Sequence, residues 1–170
     1  MGWVGGIVPG KGRRADPRHE RGAALVEAAF VMSLLIMLLL GITTAGIAYG
    51  QANALQTAAR EGTRFGATLP SVETNLQTVL DVTKAAATGA LDDGAPGRTI
   101  CVAIVGPASS SLTQDEAGVL TTGGGSCFSD GRPTDEERVQ VLVSREATIN
   151  AALFSTEVTL DAQSAAKYER

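Results

Sequence analysis

The side chains able to do chemistry are few in this chain, and their spacing argues against a reaction. The single histidine, His19, stands in a basic N-terminal stretch, and the 2 cysteines are Cys101 and Cys127. A catalytic histidine, or a zinc centre built from several histidines and cysteines, is therefore excluded downstream of residue 19. Asp92-Asp93 and Asp135-Glu136-Glu137 are adjacent acids without the spacing of a calcium loop, and they read as solvated turns. Gly123-Gly124-Gly125 lacks the Gly-Lys-Ser/Thr that completes a phosphate-binding loop. A serine hydrolase using Lys84 or Lys167 as base has no motif in its favour. The expectation is a non-enzyme with no catalytic residue, no metal and no cofactor.

The two cysteines have a simpler use. Both lie far beyond the basic N-terminus, and in an oxidising compartment such a pair favours a disulfide. A Cys101–Cys127 bridge would close a loop of 26 residues, a constraint worth about 3–4 kcal/mol in the loop-entropy model. Two free thiols are the alternative. The bridge is the preferred reading because a small polar domain has little core of its own.

One carboxylate is out of place. Glu27 sits inside an apolar segment that holds 21 apolar residues in the 28 positions from residue 23 to residue 50. From Ala28 to Ala59 no side chain is charged. About 20 apolar residues suffice to cross a bilayer as a helix, whereas a secretory signal has a core of about 7–15. The segment therefore reads as a retained single span, over about residues 23–48. Residues 1–22 carry a net charge of +3 and residues 23–170 a net of −7, together the chain's −4. A basic flank before an apolar run keeps the N-terminus cytoplasmic and sends the acidic remainder outside. A nucleic-acid partner is not expected, since the five basic residues of the flank are diluted by two acids and abut a membrane-length segment.

An ionised side chain within a membrane helix is costly unless it finds a partner or reaches the headgroups. Reaching the headgroups is the plainer account of Glu27. The sharper one is cleavage between Gly22 and Ala23, which would leave an α-amino group four residues, or roughly 6 Å of helix, from Glu27. That amine, on the same or a neighbouring chain, would neutralise the carboxylate and fix the axial register between subunits.

Beyond the span, residues 51–61 contain good helix formers and no proline, and Leu69-Pro70-Ser71 should end the helix. A helix from Ala23 to about Thr68 would be roughly 65–70 Å long. Along it Gly46, Gly50, Ala54, Ala58, Gly62 and Gly66 recur every fourth residue. A row of small side chains lets two helix backbones approach closely, as in helix association within lipid. The abundance of glycine and alanine in the chain is the competing explanation.

At this point the residues resemble a family. Arg21-Gly22-Ala23-Ala24-Leu25-Val26-Glu27, the aliphatic run, and Ala58-Ala59-Arg60-Glu61-Gly62-Thr63-Arg64-Phe65 look like TadE-like pseudopilins of the tight-adherence (Tad/Flp) pilus system. Val158 to Tyr168 is in keeping with how such chains end. The pattern departs from the family in having Ala28 rather than an aromatic after the glutamate, and Ser33 where many members carry proline. The resemblance implies a minor pilin, cut after Gly22 by a prepilin peptidase. It further implies association with other Tad pilins and the inner-membrane assembly platform. A generic single-pass protein presenting a binding or sensing domain is the alternative.

The remainder, residues 70–170, reads as a small extracytoplasmic α+β domain. Ser71 is placed to cap a helix carrying Val72, Leu76, Val79, Leu80 and Val82 on one face, broken by Gly89 and residues 92–97. Residues 99–105, 138–143 and 157–162 alternate or concentrate β-formers and predict three strands. Residues 121–126 read as a flexible linker, and residues 149–154 as a turn or short helix. The expected fold is a long N-terminal transmembrane helix followed by a helix and a short antiparallel sheet, a pilin-like α+β architecture.

Overall fold

The computed structural model describes residues 17–151 and 154–168, with side chains described over 22–150 and 155–168. The basic leader up to residue 16 lies outside the described residues, as does the side chain of His19. The chain divides between Leu39 and Leu40 into two units. Among the described residues the first holds only the beginning of a helix. The second holds the rest of that helix and all other elements.

Helix α1 runs from Pro17 to Thr68. It begins six residues before Ala23, with proline in the first helical position, where the missing N–H costs nothing. Hydroxyls along it bond back to their own helix: Ser33 Oγ to Phe30 O at 2.8 Å, Thr44 Oγ1 to Leu40 O at 3.0 Å, and Thr57 Oγ1 to Asn53 O at 2.9 Å. Such back-bonding satisfies hydroxyls without an outside partner. The helix stops because Pro70 disfavours helical backbone at Leu69. A short 3-10 turn, Glu73–Asn75, leads into α2, Leu76–Ala86. Ser71 does not cap it. Val72 and Asn75 precede the two pieces without a side-chain cap bond, and Asn75 instead donates to Pro70 O at 2.9 Å.

Five strands follow: β1 Thr99–Val105, β2 Ser110–Gln114, β3 Leu120–Gly123, β4 Arg138–Ala151 and β5 Phe154–Lys167. They form one antiparallel sheet in the order β3-β2-β1-β4-β5. Strand β3 corrects the first half of the expected linker. Leu112 pairs with Thr122 and Ser111 with Gly123, so Thr121, Thr122 and Gly123 are ladder residues. Their composition hid them because β3 is an exposed edge strand, held by backbone bonds rather than by a buried apolar face. The expected turn or short helix over 149–154 is also corrected. Ile149 pairs with Thr156 and Asn150 with Ser155, so strand pairing continues through that stretch.

The core forms between one face of the sheet, α2 and the outer part of α1. Ile100 pairs with Val143, Val102 with Val141 and Ile104 with Val139, and all six are buried. They meet Leu76, Val79 and Leu80 of α2 and Leu55, Ala58, Ala59 and Ala67 of α1. The opposite face of β1 and β4 is covered as well, since Ala103 and Gln140 are fully buried. The segment between β3 and β4 provides that cover. Its Cys127 is bonded to Cys101 of β1, with Cα atoms 5.8 Å apart.

The tightest contact falls at glycine. A methyl group at Gly62 would run into Thr83 Oγ1, and one at Gly66 would lie 3.0 Å from Val139 Cγ2. At Gly46 it would meet nothing. In the full-length, detergent-solubilised protein Gly62→Leu should lower stability by about 1–3 kcal/mol through overpacking. Gly46→Leu should stay within about 0.5 kcal/mol of the parent. Denaturant midpoints measure both, and equal midpoints would refute the close seating at Gly62.

Candidate functional site: an apolar helix and its small-residue row

The inner part of α1 exposes its apolar surface all round. Leu25, Phe30, Leu34, Ile36, Leu39 and Ile42 are each more than half exposed, and Glu27 is exposed among them. A helix of a soluble core would bury one stripe and present polar residues on the other. Here the segment Gly22–Thr68 is long and apolar enough to cross a membrane. Glu27 is the sole acid between Gly22 and Arg60. Gly22 and Ala23 both lie in continuous helix, one turn before it.

The small-residue row divides in two. Ala58 is fully buried, Ala54 packs against the core, and Gly62 and Gly66 abut Thr83, Val139, Val141 and Val79. These four positions are occupied by the chain's own sheet and α2. Gly46 and Gly50 have open space where a side chain would be. The row read from the sequence as one helix-packing groove is thus largely an intramolecular seat. The reason is steric: a close-approach surface accepts whichever apolar surface is tethered beside it, and the sheet is tethered there.

In the sheet domain the polar side chains make structural knots. Arg138, fully buried, donates Nε to Asp130 Oδ2 at 2.7 Å and Nη2 to Asp130 Oδ1 at 2.8 Å, a two-point ion pair. Its Nη1 donates to the carbonyls of Pro133 and Glu136. Gln140 accepts from the Cys127 amide and donates to Phe128 O and Asp130 Oδ2. Together with the disulfide these contacts fasten residues 127–137 over the back of the sheet. Arg98 ties the turn at residues 91–93 to the end of β2. It is buried and donates to Leu91 O, Gln114 Oε1 and Asp115 O, with Asp93 Oδ1 2.9 Å from its Nη1. Hydrogen bonding from Lys84, helped by both nearby cations, holds Asp93 below the usual carboxylate range.

No nucleophile–base pair appears among these contacts. Arg98, Arg138 and Gln140 escaped the sequence reading because their partners lie up to 17 positions away, mostly in irregular chain. One faint signal was available: each sits in or beside a strand of otherwise apolar or small residues, where a buried polar group needs partners. Tyr168 packs against the core, and burial, with the charge of Glu137, pushes its phenol up to about 12.

An exposed apolar helix leading into a small antiparallel sheet with one disulfide defines a helix-anchored, single-sheet protein. Residues 22–64 match the family described as TadE-like protein. That stretch, which is similar to the family, holds Glu27 and five of the six small residues. No curated protein and no solved structure matches the chain. The sheet domain therefore rests on its own geometry.

The two-point ion pair makes an acid prediction. Burial acts to raise Asp130, but the Arg138 hydrogen bond, the Arg132 amide, Gln140 and the Arg138 charge outweigh it, bringing Asp130 from 3.8 to about 2. A depressed carboxylate adds stability that is complete above its unfolded value and is lost as pH falls through its folded one. Amide exchange at residues 128–138 should stay slow at about pH 4 and become fast as pH approaches about 2. In Asp130→Asn it should be faster throughout, without that acid step. A parent protein already unprotected at pH 4 would contradict the pairing.

Proposed function

We propose that this chain is a minor pilin, or pseudopilin, of a Tad-type pilus, acting by assembly rather than catalysis. The observation that carries the reading is the family match on residues 22–64, because it coincides with the exposed apolar helix and includes Gly22, Ala23 and Glu27. The basic leader remains in the cytoplasm and α1 anchors the subunit in the membrane. The sheet domain lies on the extracytoplasmic side, a location in keeping with its disulfide. A prepilin peptidase cuts after Gly22, and the new amine at Ala23 neutralises Glu27 and sets register against neighbouring subunits. Those neighbours are other Tad pilins, delivered by the inner-membrane assembly platform. Of the small-residue row, Gly46 and Gly50 are the open positions, and Gly46, farther from the sheet domain along the chain, is the one assigned to a neighbouring helix.

Two measurements test this. N-terminal sequencing of the mature protein should find Ala23 first. An intact leader would favour a generic single-pass protein instead. Glu27→Ala should insert into the membrane at the parent level yet fail to co-purify with pili. Normal incorporation of that variant would remove the register role from Glu27.

A further inference from the structure

Tyr49 stands at the end of the apolar run of α1 and is 71% exposed. Tyrosine at the end of a spanning helix marks the level of the lipid headgroups. At that level a cleft of about 430 Å3 opens beside α1, lined by Ile47, Gly50, Gln51, Thr88, Gly89 and Arg145, among others. Its only charged lining residue is Arg145. The guanidinium donates Nη1 to Ala90 O at 2.8 Å and Nε to Glu146 O at 3.4 Å. No carboxylate lies within ion-pair distance of it among the described residues. Asp92 lies near Gly89 without reaching it, and Glu146 lines only an adjoining cleft of about 270 Å3.

We propose that this cleft seats the phosphate of a membrane phospholipid, with Arg145 as its anchor, while the subunit resides in the bilayer. The inference rests on the membrane anchoring proposed above. A guanidinium fork with donors to spare matches phosphate oxygens and is weakly hydrated, so it suits a headgroup zone. The remaining lining fits an amphiphile. Gln51 and Thr88 offer polar groups, whereas Ile47 and the bare backbone of Gly50 continue the apolar surface toward the acyl chains. Thr88 is a non-glycine residue held at φ 48°, a conformation of the kind found at ligand clamps. A bound headgroup here would fix how deeply α1 sits.

The test reconstitutes the full chain in vesicles of phosphatidylglycerol and dioleoylglycerol, extracts it in mild detergent, and identifies retained lipid by native mass spectrometry. The parent should retain phosphatidylglycerol and not dioleoylglycerol. Arg145→Gln should lose retention by about tenfold or more, as expected for a lost charge-assisted bond. Gly50→Leu, which fills open space and so leaves the fold intact, should lose it as well. Equal retention by the parent and both variants would overturn the site. Displacement of the lipid by soluble glycerol phosphate at matched concentration would also overturn it, by showing a site for free anions. A chain that enters vesicles but retains no phospholipid refutes this inference alone. A chain that never enters them refutes the anchoring and this inference together.

Discussion

One helix has to satisfy two surroundings, and its narrowest contact governs how it does so. At Gly62 the backbone of α1 comes so close to Thr83 that no side chain fits between them, and at Gly66 a methyl group would press on Val139. That approach brings α2 and the valine face of β4 onto the helix, and Leu55, Ala58 and Ala59 complete the same buried stripe. Inward of Gly50 the rule reverses. The side chains are large, aliphatic and exposed, as a helix in lipid requires.

The sheet can afford such a seat because its other face is fastened independently. A two-sided sheet with polar residues at Arg138 and Gln140 would bury unmet hydrogen-bonding capacity. Asp130, the carbonyls of Pro133 and Glu136, and the Cys127 amide meet most of it. The disulfide then holds the segment that carries those partners against β1. These groups are engaged in holding one another and the segment that covers the sheet.

The sequence disclosed what depends on composition over long windows. Thirty-two uncharged residues, a proline at 70 and an isolated run such as Thr99–Val105 each announce one element. Glu27 was visible for the same reason, as an exception within a uniform stretch. Strand β3 was not legible, since an exposed edge needs backbone pairing and little apolar pattern, and β2 buries only Leu112 among polar neighbours. The small-residue row was legible as a groove, but its occupant was not. Periodicity records that a close approach is possible, and only the fold decides whether the visitor is a neighbouring helix or the chain's own sheet. Arg98, Arg138 and Arg145 illustrate the same limit, because a cation's role is set by partners that the linear spacing does not bring together.

This division bears on how the proposed subunit would change environment. In lipid no hydrophobic force drives helices together, so association depends on close packing and on pairing of buried charge. Ala54, Ala58, Gly62 and Gly66 are already committed to the chain's own core, so in the proposed assembly recognition of neighbours would fall to the inner helix. Exchange of lipid for protein around that inner segment then requires no rearrangement of the sheet. Its seat at Gly62, its disulfide and its Asp130–Arg138 pair all lie outside the surface being exchanged. A subunit of the kind proposed would therefore leave the bilayer as a folded body, with the cost of transfer confined to residues that carry no part of the core.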